Sequence, residues 1–349
     1  MRIVFLSHTD PFGPFRVGSH HLSRELARLG HEVVHLSTPV SLAHLVTGRV
    51  RWARLAQTPP HSFVDGVRMI VPRTLLPAGL GAFSVSRELR RRGLTDIDLA
   101  LIDQPLLWSR SAATIAQTFI YRPTDEYPSG IKARRQAAIL QVADAVVATS
   151  HRVLEALGDT GLPALVIENG VDVEHFPPRS ESPRPATCVY VGAFDSRFDW
   201  DQVRRWAEES PAWRFRMIGP LGASPTALPD NIELFGPADY DDLPRLLADA
   251  RIGLLPLSSD ALNRGRSPMK LYEYLSSGLQ VVSRETAGIR TALDVGIHTY
   301  TDPVSASEAL RASMDAPTPN IAGATHAASQ SWKIKARALV EFARSVPVS

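Results

Sequence analysis

The 349-residue chain has a single cysteine, Cys188. That excludes an internal disulfide framework and any metal site built from several thiolates. Cys188 lies in the apolar run Cys188-Val189-Tyr190-Val191 and reads as a small core residue rather than a reactive thiol. Long hydrophobic runs are also missing, so no segment is expected to cross a bilayer. The opening Arg2-Ile3-Val4-Phe5-Leu6-Ser7-His8 is too short for a signal peptide and reads as a buried first strand. A cytoplasmic location is expected. The loop after that strand lacks Gly-x-Gly-x-x-Gly, so no dinucleotide cofactor is indicated. Acidic residues are scarce over one stretch. Between Val33 and Leu94 only Asp65 and Glu88 occur, against Arg49, Arg51, Arg54, Arg68, Arg73, Arg87, Arg90, Arg91 and Arg92. The net charge is only +2, yet this half is basic and suits an anionic surface or ligand. No nucleic-acid partner is expected.

What is present is an alternation of short apolar strands with helical patterns. Strands are expected at 2–7, 32–37, 99–102, 118–121 and 145–148, with a helix at 19–29 carrying Leu22, Leu26 and Leu29 at helical spacing and Gly30 as its C-terminal cap. Pro177-Pro178-Arg179-Ser180-Glu181-Ser182-Pro183 breaks the pattern and reads as a linker. Strands then resume at 188–192, 214–218, 231–235, 252–256 and 280–283, and a helix runs from Trp332 to Arg344. The alternation implies an α/β chain of two Rossmann-like, doubly wound domains: 1–176, a linker at 177–186, and 187–330, with a final helical segment 331–349 that could return to the first domain. Such domains bind ligands at the carboxyl ends of their strands, here across a cleft.

The segment Ser267-Pro268-Met269-Lys270-Leu271-Tyr272-Glu273-Tyr274-Leu275 carries the clearest chemistry. Ser267 reads as an N-cap, Pro268 as the first helical residue and Gly278 as the stop. Lys270 then stands in a first turn beside unpaired N–H groups, with Arg264 and Arg266 upstream, an arrangement suited to a diphosphate. Glu273 shares the face of Lys270 and Met269 and can accept hydrogen bonds from ribose hydroxyls. The alternative is a solvated surface pair. A basic first turn beside the positive helix end favours the anion site.

Lys-Leu-Tyr-Glu-Tyr-Leu-x-x-Gly-x-x-Val-Val resembles the donor-binding helix of GT-B-fold glycosyltransferases. The resemblance implies that Glu273 is the second glutamate of a Glu-x7-Glu motif. The first would fall at Gly265 and is absent, a departure from the retaining group-4 pattern. The chain is more similar, distantly but colinearly, to the bacterial glucuronosyltransferase family of xanthan assembly, an inverting group with a Met-Lys pair on this helix. Met269 and Lys270 match it, with the lysine on the donor diphosphate. Tyr121-Arg122-Pro123-Thr124-Asp125 resembles that family's Tyr-Arg-x-x-Asp segment, whose aspartate is the catalytic base. By its residues alone Asp125 is either such a base or a turn cap between Pro123 and Pro128, with Glu126 the fallback and Arg122 an anchor for Asp125 or its loop. Where the xanthan enzyme has a glutamate and a tyrosine around the nucleobase, this chain has Pro237 and Leu257.

The resemblance implies a glycosyltransferase taking a nucleotide-sugar, a UDP-sugar by preference. The acceptor would be a hydroxyl of a glycan or of a polyprenyl-diphosphate-linked sugar, in polysaccharide or glycoconjugate synthesis. A retaining transferase, a sugar-nucleotide 2-epimerase and a non-catalytic partner subunit are the alternatives, and the presence of both Lys270 and Asp125 argues against the last. Gly192, Gly219, Leu221 and Gly222 border the donor in this reading. Gly13, Arg16, Gly18, Ser19 and His20 form an acceptor or phosphate loop, and His21, pointing elsewhere on the helix, is not a metal partner for His20. Asp199-Trp200-Asp201 has the form of a DxD but opens a helix, where capping is the expectation. No metal and no cofactor are expected. Residues 41–56 combine Leu42, Leu45, Val46, Val50, Trp52 and Leu55 with Arg49, Arg51 and Arg54. They are either a segment that touches the inner membrane leaflet or a packed helix with a basic face.

Overall fold

A run in which every residue is apolar has no face to give to water, so it is stable as a strand covered on both sides. Ile3–Leu6 and Leu99–Ile102 are such runs, and all are fully buried. The computed structural model describes residues 1–8, 16–47, 58–78, 83–178, 184–220, 222, 227–260, 263 and 267–347. The chain divides into two units, Met1–Glu168 with Trp332–Ser349, and Asn169–Ser331.

In the first unit the strands are β1 (Arg2–Ser7), β2 (Glu32–Ser37), β3 (Val40–Ser41), β4 (His61–Val64), β5 (Val67–Ile70), β6 (Arg73–Thr74), β7 (Ile97–Ile102), β8 (Ala116–Tyr121), β9 (Ala145–Ala148) and β10 (Ala164–Val166). Eight form one sheet in the order β10-β9-β8-β7-β1-β2-β5-β4, while β3 and β6 pair separately. The large sheet is parallel except for β4, which pairs antiparallel with β5. Asp65-Gly66 turns that hairpin with positive φ at both residues, the backbone that a tight two-residue hairpin turn needs. The helix Trp332–Ser345 belongs to this unit, and Trp332 stacks on His21 at 5.1 Å between ring centroids.

The second unit has β11 (Thr187–Val191), β12 (Arg214–Ile218), β13 (Ile232–Phe235), β14 (Ile252–Leu255), β15 (Gln280–Arg284) and β16 (Ile297–Tyr300). Their order is β13-β12-β11-β14-β15-β16, parallel throughout. The chain reverses direction between β11 and β14, which leaves a crevice at their carboxyl ends. The helix Met269–Ser276 lies between β14 and β15 and buries Leu271 through Ser276. Tyr274 is its anchor. Its ring lies where a side chain on Gly253 of β14 would be, and its hydroxyl accepts the Val191 N–H at 2.9 Å.

The expected strands all occur, within two residues at their ends. One expectation needs correction and one is narrowed. Ser267 does not cap the helix. Pro268 stands at the N-cap, and Ser267 is drawn off to Asn169, whose backbone N–H donates to Ser267 Oγ at 3.1 Å and whose amide donates to the Ser267 carbonyl at 2.6 Å. Of the two roles expected for Arg122, an anchor for Asp125 or for its loop, the structure shows the second: among the described residues it has no bond to Asp125, and it holds the start of the loop. It is buried against Asp103 at 2.9 Å, because a charge that far inside needs a charged partner. Asp199 caps the helix Trp200–Glu209 by accepting the Gln202 N–H at 3.0 Å and pairs with Arg284, which accounts for it without a metal.

The packing of Tyr274 on Gly253 yields a direct test. A Cβ at Gly253 would stand 2.2 Å from the Tyr274 ring. Gly253→Ala should therefore destabilise the protein by about 3 kcal/mol, read as a lower midpoint in urea. An unchanged midpoint would mean that the helix is not held there.

Candidate functional site

In the second unit the loops after β11 and β12 lie against each other. Gly192 N–H donates to the Ile218 carbonyl at 2.9 Å, and a Cβ on Gly219 would fall 1.8 Å from the Gly192 carbonyl oxygen. Only residues without side chains allow that approach. A Cβ on Gly192 would also meet the Lys270 side chain, with Cε 3.0 Å away. Lys270 therefore runs along the bare backbone at the carboxyl end of β11. Among the described residues the first turn of its helix holds no acidic residue and no side chain caps it, and the positive end of such a helix favours an anion.

Glu273, one turn on, is 8% exposed. Among the described residues no hydrogen-bond donor reaches its carboxylate. Burial pushes its pKa up to about 7, with the Lys270 charge pulling the other way. A buried carboxyl without a donor is costly, and hydroxyl groups of a ligand would supply what it lacks. The structure thus brings together Gly192, Gly219, Lys270 and Glu273, with Met269 half-buried at the helix start. Leu221, Arg264, Arg266 and Gly13 lie outside the described residues, as do residues 48–56 of the basic apolar segment. Of that segment, the helix Leu42–Val46 exposes Leu42 and Val46.

In the first unit the carboxyl ends of β1, β2, β7 and β8 share a buried polar network. Ser19 Oγ lies 2.9 Å from Ser7 Oγ and 3.1 Å from His35 Nε2, Ser7 donates to Asp103, and Asp103 pairs with Arg122. Burial pushes Asp103 up to about 6, while Arg122 and Ser7 pull it down. Ser19 and His20 are buried, and Arg16 pairs with Asp65 at 3.3 Å. These three are engaged within the unit. Asp125 is exposed just past β8, with Thr124 donating to its carboxylate at 3.2 Å. Its charge is felt by neighbours that the sequence did not single out. Desolvation lowers the His8 imidazole and Asp125 opposes this, while burial and then Asp125 raise the Tyr127 phenol. His8 follows β1, two strands from β8, so only the strand order of the folded sheet could have paired it with Asp125. Among the described residues no three His, Cys, Asp or Glu side chains are grouped to hold a metal ion.

Residues 200–338 match a family model described as glycosyl transferase-like. A putative teichuronic acid biosynthesis glycosyltransferase of Bacillus subtilis is 26% identical over 163 residues, and the chain spans about two fifths of that relative, 41%. Among solved structures, Anabaena HepE in complex with UDP-glucose superposes with a TM-score of 0.66 at 15% identity, covering 99% of this chain and 100% of that one. A glycosyltransferase from Rickettsia africae gives 0.66 at 13%, covering 99% and 98%. The catalytic domain of Arabidopsis thaliana starch synthase IV bound to ADP and acarbose gives 0.69 at 12%, covering 99% of each. The fold is GT-B. The family match falls mainly on the second GT-B unit, which holds Lys270 and Glu273.

Glu273 makes a pH-dependent prediction. Its folded pKa of about 7 exceeds that of an unfolded glutamate, so its contribution to stability is full at low pH and is lost as pH rises through 7. Glu273→Gln stays neutral. It should match the wild type at pH 4 and exceed it by about 2–3 kcal/mol at pH 8, measured by denaturant unfolding across that range. A difference that does not grow with pH would mean that the carboxyl is not strained.

Proposed function

We propose that this protein is a glycosyltransferase that moves a sugar from a nucleoside diphosphate sugar, a UDP-sugar by preference, to a hydroxyl of a glycan or lipid-linked sugar in polysaccharide or glycoconjugate synthesis. The observation that carries the proposal is Lys270 laid along Gly192 in a helix first turn without an acidic residue, one turn from the buried carboxyl of Glu273. A diphosphate fits the first group and ribose hydroxyls fit the second. The GT-B fold and the UDP-glucose held by the Anabaena structure support the same donor class.

In the proposed reaction Asp125 takes the proton of the acceptor hydroxyl as its oxygen attacks the anomeric carbon. The bond from that carbon to the diphosphate oxygen breaks, and the diphosphate leaves with the electron pair. Its added negative charge is met by Lys270 and the helix N–H groups, and Gly192 and Gly219 let backbone approach the phosphates. Glu273 orients the ribose. Attack opposite the leaving group inverts the anomeric centre. No metal enters this scheme.

Thermal-shift titration with UDP and UDP-sugars should give a rise in melting temperature that Lys270→Ala removes, with affinity lowered ten- to a hundredfold. Equal shifts in both proteins would sink the donor site. Asp125→Asn should bind donor normally and lose about 10²–10⁴-fold in transfer rate. The anomeric proton signal of the product should report an inverted linkage, and a retained one would remove Asp125 from the role of base.

A further inference from the structure

The far end of the helix Met269–Ser276 is fixed. Ser276 Oγ donates to the Phe176 carbonyl at 2.6 Å, and the Arg184 guanidinium donates at 2.6 Å to the carbonyl of Ser277, the C-cap. At the near end two starts compete. Pro268, with φ −74° and ψ 122°, is extended and stands at the N-cap, where it has no side-chain oxygen to offer. A helical ψ at Pro268 would make it the first residue of the helix and Ser267 the cap. Local preference favours that start, because serine caps well and proline suits the first helical position. The side-chain oxygen of a cap takes the N–H of the second or third helical residue, which for Ser267 means Met269 or Lys270. Those are the residues whose N–H groups face the diphosphate in the proposed donor site. A serine cap would therefore stand where a phosphate oxygen is to bind.

Asn169, the first residue of the second unit, opposes the cap. It engages both oxygens of Ser267. Its backbone N–H donates to Oγ at 3.1 Å and its side-chain amide donates to the carbonyl at 2.6 Å. The second bond holds the peptide that joins Ser267 to Pro268, the peptide that has to move before the serine can reach the cap. We propose that Asn169 is a positioning residue for donor binding. It withholds Ser267 from the helix and so keeps the first turn for the diphosphate, without touching the donor itself. The inference rests on the donor site proposed for Lys270 and Glu273.

The test combines Asn169→Ala and Ser267→Ala, read by UDP calorimetry and, without ligand, by amide exchange. Asn169→Ala keeps the backbone N–H but releases the Ser267 carbonyl, and should weaken UDP binding about fivefold. The double variant should return to the affinity of Ser267→Ala alone, because no cap can then form. A misfolded protein, or an asparagine with a merely structural role, would not be rescued by deleting a second polar group. In the ligand-free protein the Met269 and Lys270 amides should exchange with deuterium more slowly in Asn169→Ala than in the wild type, and lose that protection in the double variant, as followed by NMR. Losses of affinity that add in the double variant would overturn the proposal, and so would unchanged exchange at both amides. A wild type that binds no UDP would sink the donor site and the positioning role with it. Protection confined to Asn169→Ala would identify that case, since it shows the serine capping the helix whether or not a donor binds.

Discussion

Tyr274 fixes the rotation of the helix on which the proposed donor site depends. Its ring occupies the space above Gly253 and its hydroxyl takes the N–H of Val191 at the end of β11. A helix turns by about 100° per residue, so locking one residue sets the direction of all the others. With Tyr274 turned into the sheet, Glu273 is carried into the protein and Lys270, one turn earlier, follows its face toward the Gly192 loop. The strained carboxyl is a consequence of that lock. Rotating the helix to bring Glu273 out to water would take the Tyr274 ring off the sheet and deprive the Val191 N–H of its acceptor. The energy of a well-packed aromatic thus maintains an unfavourable carboxylate environment that a hydroxyl-bearing ligand can relieve.

Much of this was legible in the order of residues. Continuous apolar runs located the strands because burial on both faces leaves no polar positions to confuse the pattern. The Met269–Ser276 helix was legible because a proline and a glycine bracket it. The hairpin of β4 and β5 was missed, although Asp65-Gly66 between two short alternating runs is a hairpin signal. The cap at Ser267 was misread for a different reason. Serine before a proline is a good local cap, but Asn169, 98 positions away, claims its hydroxyl. The partner of Arg122 was missed in the same way. That partner, Asp103, follows a neighbouring strand, and only the pairing of β7 with β8 makes the two adjacent. Local chemistry predicts local structure well. It fails where a side chain has a more demanding partner that is distant in sequence.

In the proposed function the two units solve one problem by the same physical route. A group that must meet a ligand has to be exposed or unpaired, and such a group cannot hold its own position. In the second unit the fixed neighbour is Tyr274, one residue from Glu273. In the first it is Arg122, three residues before Asp125. Arg122 is closed in by Asp103, its own N–H donates to the Ile102 carbonyl, and Thr149 donates to the carbonyls of Pro123 and Thr124. The chain from the end of β8 to Asp125 is therefore tied at successive residues before it reaches the exposed carboxylate. A buried ion pair adds little net stability compared with a well-packed apolar pair. What it adds here is uniqueness of position. Neither Asp103 nor Arg122 can shift without stranding the charge of the other in the core, so the segment that presents Asp125 has one low-energy course.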